Sequence, residues 1–410
     1  MKAEIITIGT EITTGSILNT NVQYLANELL DLGIETLYHT SVDDNEYRLE
    51  EIINISLNRA DLIITTGGLG PTDDDITKEV IARVLNLKLL KDTETENKIK
   101  NIFNKSNRYM PINNLKQAIN IEGGKILKNS IGTAPGIALH IKDKIIIMLP
   151  GPPREMKAMF NNEAAPLLEK KFHIIKKSIN LMGIGESLLE MEIKDLLNRG
   201  NGVIVATFAK DLEVEIKLIG KGNNIEIINK EIMDIINIIK DRFPDNIFAY
   251  DNMPIELIVF KMLKKLNYKI GFCESCTGGL ISSKLSTIPG VSQVFDRSII
   301  TYSNNAKIEE VGVSKSTLEK FGAVSPETAL EMATGLLEKG NLDLTLSITG
   351  IAGPDGGSKE KPVGLVYICI ATKDKTKVIE SNFTGNRERI QNKATLQAFN
   401  EIRKFLLNNN

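Results

Sequence analysis

The sequence predicts an α/β fold, in which two three-layer α/β domains are joined by a small α+β domain. Three observations carry this prediction. At 410 residues the chain exceeds one ordinary domain of ~100 to 200 residues. Short apolar strands alternate with amphipathic helices near both ends, as in covered, mostly parallel sheets. Two glycine-bearing turns each follow an apolar strand directly and lead into a helix, where such sheets place their ligands.

In chain order, apolar Ile5 to Ile8 is a strand, Asn21 to Leu32 a helix, Leu37 to Val42 a strand and Leu49 to Leu57 a helix. Leu62 to Thr65 is a strand followed by a glycine turn and a helix from Ile76. Irregular sequence from Ser106 to Pro111 precedes strands at Gly136 to His140 and Lys144 to Leu149. The Pro150-Gly151-Pro152-Pro153 turn then starts a helix from Arg154 to Leu168. The small unit reads strand Ile174 to Met182, helix Ser187 to Leu197, strands Val203 to Thr207 and Leu212 to Leu218, and helix Ile225 to Ile239. After Pro254 come a helix, strand Tyr268 to Phe272, helix Thr277 to Ser286, strand Ser298 to Tyr302 and helix Pro326 to Leu337. Strand Leu342 to Ile348, a long glycine loop, strands Val363 to Ala371 and Val378 to Phe383, and a helix from Asn386 complete the chain. The expected domains are 1–170, 171–251 and 252–410.

Hydrophobic residues at 42%, charged residues at 25% and a net charge of -2 describe a soluble globular chain that can bury a core, which argues against disorder. Without a broad basic stripe, direct nucleic-acid binding is not expected, and small phosphorylated molecules fit better as ligands. No apolar run suits a membrane span and the start lacks signal-peptide blocks, so a cytoplasmic protein is expected. Three cysteines cannot form a disulfide scaffold. A zinc site on Cys273-x-x-Cys276 lacks partners, because only Cys369 remains and no histidine follows His173. Cys276 as a nucleophile would gain from a helix start but has no imidazole partner nearby.

The first constellation is Gly67-Gly68-Leu69-Gly70-Pro71-Thr72-Asp73-Asp74-Asp75. Gly67, Gly68, Gly70 and Thr72 let a ligand approach the backbone closely, and a helix start favours phosphate oxygens. Aspartates beside such a cradle make sense when a divalent cation such as Mg2+ mediates, because carboxylates alone repel phosphate. Helix capping explains one acid but not three. Glu11 and Glu155, at the ends of expected strands, are placed to join them as ligands.

The second constellation begins with Cys273-Glu274-Ser275-Cys276-Thr277-Gly278-Gly279, expected to form an anion pocket through its hydroxyls and glycines. Ser292 follows a turn, and Tyr302 and Lys307 bracket a strand end and a helix start, so that hydroxyl, phenol and amine could converge. An amine can replace imidazole as the base of a serine nucleophile if it is neutral. Lowering a lysine from ~10.4 to ~7 corresponds to roughly 4 to 5 kcal/mol, to be supplied by burial or a cation such as Arg297. The loop from Thr349 through Gly350 and Gly353 to Gly357 is rich in backbone donors for an anion or oxyanion. Arg387 at the last helix start suits phosphate.

These blocks, with Asn114-x-x-Gln117-Ala118, LPGPPREM, VSQVF, TYSNNAK, TGIAGPDGGSKEKPVG and FTGNR, resemble the CinA family over essentially the whole chain. The resemblance implies an N-terminal molybdopterin-binding-like domain, a KH-like linking domain and a C-terminal domain similar to nicotinamide mononucleotide (NMN) deamidase. It implies metal-dependent hydrolysis of ADP-ribose to AMP and ribose 5-phosphate, with Asp74, Asp75 and Glu155 at the metal. It further implies metal-free Ser/Lys deamidation of NMN to nicotinate mononucleotide and ammonia. Carried over, Ser292 is the first choice of nucleophile and Ser275 the second, Lys307 is the base and Tyr302 assists proton transfer. Thr277, Gly278, Gly279, Thr349, Gly350, Gly353 and Arg387 bind or orient the nucleotide. The alternative is a non-catalytic nucleotide- or pterin-binding regulator linked to competence or the DNA damage response. A homodimer is expected, as folds of this kind often pair.

Overall fold

The computed structural model describes residues 1–105, 107, 109–169, 172–197 and 202–408. Part of the expected irregular stretch Ser106 to Pro111, and residues 170 and 171 at the first expected boundary, lie outside the described residues. Two compact units are present, one of residues 1–175 with 220–229 and one of 176–219 with 230–410.

The first unit is built on a six-stranded sheet in the order Glu35–Val42, Lys2–Ile8, Leu62–Thr66, Lys144–Leu149, Gly136–Ile141, Lys125–Leu127. The first four strands run parallel and the last two antiparallel. Side chains alternate between the two faces of a strand, and both faces here are apolar. Ile6, Ile63 and Met148 pack with Leu49, Ile53, Val80 and Ile81 from helices Glu46–Arg59 and Thr77–Val84. Ile5, Leu62, Ile64 and Ile147 pack on the other side with Leu25 and Leu29 of helix Thr20–Asp31 and Met156 of helix Pro153–Met159. Each fully buried aliphatic side chain contributes about 1.5 to 3 kcal/mol, which fixes three layers.

The C-terminal sheet has the order Phe295–Ile300, Ile270–Glu274, Leu344–Gly350, Leu365–Ala371, Thr376–Asn382. The first three strands are parallel and the last two antiparallel. Phe272, Leu346 and Ile368 pack on one face with Val259, Ala398 and Phe399 of helices Ile255–Leu266 and Arg387–Asn408. Cys273 packs on the other with Met332 and Leu336 of helix Pro326–Glu338. A four-stranded sheet, Val203–Ala209, Glu213–Gly222, His173–Met182, Ile247–Tyr250, forms the small α+β portion, and its Met182, Phe248 and Ala249 join the core of the C-terminal domain.

Several elements depart from expectation. The helix expected from Thr277 is Leu280–Ser286, because Thr277 to Gly279 wrap around Glu274 instead. The strand expected at Ser298 to Tyr302 is Phe295–Ile300; Ser303 already caps the next helix, Asn304–Val311, through Ala306 N–H. The helix expected to run to Leu168 ends as Pro153–Met159 and continues as wider and tighter turns over Phe160–Ala164 and Ala165–Leu167. Helix Thr93–Lys105 and the strand pair Leu89–Lys91 with Ile119–Ile121 are further elements that sequence periodicity did not reveal.

Candidate functional site

Each α/β domain carries a candidate site at the carboxyl end of its parallel strands. In the N-terminal domain an open cleft of about 390 Å³ is lined by Gly67, Gly68, Gly70, Thr72, Asp74 and Asp75, with Glu11, Asp44, Gln117 and Glu155 also on its walls. The parallel strands Lys2–Ile8 and Leu62–Thr66 deliver the first two blocks to this edge, and Lys144–Leu149 delivers Glu155. Gly67 has φ +111, and a Cβ there would lie 2.1 Å from the Ile8 carbonyl oxygen, so no larger residue fits. Thr77 hydroxyl donates to the Gly67 carbonyl at 2.9 Å and fixes the turn.

The three aspartates play different parts. Asp75 accepts the Thr72 N–H at 2.9 Å and the Thr72 hydroxyl, closing the loop on itself. Asp73 and Asp74 are exposed. Glu155 accepts from Asn129 Nδ2 at 2.7 Å. Among the described residues no three His, Cys, Asp or Glu side chains gather as a ready-made metal cage. The carboxylates on the cleft walls are oxygen donors of the kind a hard cation such as Mg2+ takes one or two of, completing its shell with phosphate oxygens and water.

Beneath this loop Lys78 is buried, donating to the carbonyls of Lys116 at 2.7 Å and Ile119 at 3.2 Å. Burial pushes its amine down to about 8. Lys116 Nζ in turn donates to the Thr72 carbonyl at 2.9 Å.

In the C-terminal domain, strand Ile270–Glu274 delivers Ser275 and strand Phe295–Ile300 delivers Thr301 and Tyr302 to one edge. Helix Asn304–Val311 returns Lys307 to the same place, where it is 1% exposed. Its Nζ lies 3.1 Å from Ser275 Oγ and 2.7 Å from the Thr301 carbonyl oxygen. Burial holds this amine below the ordinary lysine value, outweighing the opposing pull of the neighbouring Cys273 and Cys276 thiols. The expected help from Arg297 is not needed, since that guanidinium pairs with Asp296 and the Lys339 carbonyl.

This placement corrects the first choice of nucleophile. Ser292 lies on the short turn Val291–Gln293, before Phe295–Ile300, at the amino end of the parallel strands, exposed, with its carbonyl accepting from Lys269. The five residues of Ile270–Glu274 separate the two ends of the sheet by roughly 15 Å, so Ser292 cannot share a proton with Lys307, whereas Ser275 does touch it. The VSQVF block is therefore a turn before an edge strand.

The expected anion pocket at Thr277, Gly278 and Gly279 is filled from within. Glu274, fully buried, accepts from Thr277 Oγ1 at 2.8 Å and from the N–H groups of Gly279, Ile281 and Ser282 at 3.0, 3.2 and 2.9 Å. Ser282 Oγ adds a bond at 2.7 Å. A side-chain carboxylate thus takes the place at the start of helix Leu280–Ser286 that a substrate phosphate was expected to fill. Gly279, at φ +98, permits the turn. Sequence reasoning passed over Glu274, though an acid at a strand end just before a helix was the available signal. Thr349 is also committed, donating to the Ala323 carbonyl at 2.7 Å.

Arg387 donates to the Gly353 carbonyl at 2.8 Å and to the Tyr302 hydroxyl. Tyr302 is 58% exposed, and its oxygen is bound to the guanidinium and not to Lys307. Tyr302, Gly353 and Arg387 thus form a cationic rim, a place for an anionic group of a ligand. Gly350 ends the strand Leu344–Gly350 beside this edge, opposite Val366 of Leu365–Ala371. The three thiols are buried, and burial pushes Cys273 up to about 11 and Cys276 and Cys369 up to about 12. Cys276 is not a thiolate nucleophile.

Fold and sites define a protein with two α/β domains, a glycine-and-carboxylate cleft in one and a buried serine and lysine pair in the other. Three family models match it in sequence. The probable molybdopterin binding domain matches residues 4–170, the damage-inducible protein CinA KH domain 176–249 and the CinA C-terminal domain 252–406. Named competence-damage inducible proteins align end to end with it. That of Acetivibrio thermocellus is 46% identical over 409 residues, covering 99% of each chain. That of Clostridium beijerinckii is 44% identical over 409 residues, covering 99% of this chain and 100% of its own. The crystal structure of the competence/damage inducible protein CihA from Agrobacterium tumefaciens is 38% identical, covering 37% of this chain and 93% of that one with a TM-score of 0.36. The chain belongs to the CinA family. No helix among its described residues is long and apolar enough to cross a membrane.

Proposed function

We propose that the C-terminal domain is a serine amidohydrolase that deamidates NMN, and that the N-terminal domain hydrolyses ADP-ribose with a divalent cation. The observation that carries the first half is the buried Lys307 amine in hydrogen-bond contact with Ser275 Oγ. An amine kept from water favours its neutral, basic form.

The chemistry then runs through this pair. Lys307 takes the Ser275 proton as Oγ attacks the carboxamide carbon, and the tetrahedral oxyanion forms. Lys307 returns that proton to the departing nitrogen, which leaves as ammonia, and water enters to release nicotinate mononucleotide from the serine ester. The Thr301 carbonyl accepts one N–H of the amine and keeps it aimed at Ser275. The Arg387 and Tyr302 rim holds the phosphate. Glu274 shapes the turn that carries Ser275.

In the N-terminal cleft the Gly67 to Gly70 backbone receives a phosphate, and Asp74, Asp75 and Glu155, which line the same cleft, would hold the cation. A bound divalent ion there would neutralise phosphate charge and activate water. A second reading, a nucleotide- or pterin-binding domain without turnover, draws support from Asp75 and Glu155, whose carboxylates are already engaged by Thr72 and Asn129.

Ammonia release from NMN tests the first activity, and AMP formation from ADP-ribose, with and without EDTA and in Asp75→Ala, tests the second. EDTA-insensitive AMP formation removes the metal, and tight ADP-ribose binding without product supports the second reading.

A further inference from the structure

Gln117 lines the N-terminal cleft with its side-chain carbonyl oxygen unpartnered. The residue is 3% exposed, it lines the cleft with Gly68, Thr72 and Asp75, and its side-chain carbonyl oxygen has no hydrogen-bond partner. A buried acceptor left unsatisfied is costly. Its position is not slack. Lys78 holds the carbonyls of Lys116 and Ile119, which flank it in the chain on either side. The Lys116 side chain reaches over to the Thr72 carbonyl and ties the segment to the aspartate loop. The acceptor is thus fixed from below by one lysine and sideways by another, beside the glycine turn where a phosphate would sit.

We infer that Gln117 is a specificity-determining residue, whose carbonyl oxygen accepts a hydrogen bond from the ribose 2-hydroxyl of a phosphorylated ligand seated in this cleft. This rests on the ADP-ribose reading and deepens it. The donor standing nearest a phosphate in a nucleotide or sugar phosphate is a ribose hydroxyl, and the walls are rich in acids that also accept from hydroxyls. A site built around a buried acceptor discriminates strongly against a ligand that lacks the donor, because the acceptor is then desolvated with no partner. Lys78 and Lys116 are positioning residues in this scheme.

The test compares the affinity of the full chain for ribose 5-phosphate and 2-deoxyribose 5-phosphate by calorimetry, with Mg2+ present. Wild type is expected to favour the ribose compound by about tenfold. Gln117→Met, of similar length but without the acceptor, is expected to bring the ratio to within about twofold. Gln117→Glu, which retains an acceptor oxygen, is expected to keep the preference even if both affinities fall, and an unchanged melting temperature shows that each variant is folded. Equal binding of the two sugars by wild type, or an undiminished preference in Gln117→Met, overturns the inference and leaves ADP-ribose hydrolysis standing. Failure of wild type to bind ribose 5-phosphate or ADP-ribose overturns both together.

Discussion

Lys307 reaches from the first turns of one helix to Ser275 at the end of the neighbouring strand, its Nζ 3.1 Å from the hydroxyl oxygen and 2.7 Å from the Thr301 carbonyl. Thr301 N–H donates to the Glu274 carbonyl at 2.8 Å, so the strand ends carrying the base and the nucleophile are bonded to each other. The pair needs no histidine, in agreement with a chain that has none after His173.

The pH dependence follows from burial. The folded-state value of Lys307 lies below the ordinary 10.5, so the base form appears at lower pH than for an exposed lysine. Deamidation is expected to fall as the amine gains a proton and to rise with pH to a plateau, with its inflection below 10.5. The unfolded chain binds this proton up to the ordinary value and the folded chain releases it earlier, so stability from this group rises with pH across that window. A kcat/KM profile on NMN and a parallel melting series check both. An acid limb unchanged in any variant that retains turnover without Lys307 would separate the amine from it.

Glu274 supports the turn that presents Ser275. In Glu274→Gln the amide offers one acceptor oxygen where two carboxylate oxygens now take six bonds. A loss of about 2 to 4 kcal/mol is expected in urea unfolding, together with a lower kcat. Wild-type stability would show that the helix start is held by other means.

Arg387 donates to the Gly353 carbonyl and the Tyr302 hydroxyl. Arg387→Ala is expected to raise KM for NMN by about tenfold or more with a smaller change in kcat. Steady-state kinetics decide this, and a pure kcat effect would move Arg387 from phosphate binding to the chemical step.

The thiols offer a chemical check. With all three cysteines buried and their ionisation pushed up to about 11 or 12, iodoacetamide near neutral pH is expected to leave the folded protein unlabelled. Three adducts are expected by mass spectrometry after unfolding. Cys276→Ser is expected to keep deamidation within about threefold of wild type. Rapid native labelling with loss of activity would return Cys276 to the candidate list.

Much of this architecture is legible in the sequence, because both sheets bury two faces and their strands read as apolar runs, such as Leu62 to Thr66 and Leu344 to Ile348. The glycine cleft is legible for the same reason, since Gly67 sits where no side chain fits. The choice between Ser275 and Ser292 is not, because both border strands of one sheet and only the strand direction separates them. Nor is the filling of the Thr277 to Gly279 turn by Glu274. Local sequence shows a helix start that attracts an anion, and tertiary folding decides whether that anion belongs to the chain or to a ligand. Gln117 escaped for a related reason: its significance lies in a missing partner, which only packing reveals.

Ammonia release from NMN by wild type, Ser275→Ala and Ser292→Ala, measured side by side at saturating substrate, tests the central claim most directly. The structure predicts loss of at least about a thousandfold in Ser275→Ala and a rate close to wild type in Ser292→Ala. Substantial turnover in Ser275→Ala, or its loss in Ser292→Ala alone, contradicts the assignment of Ser275 and Lys307 as the reacting pair.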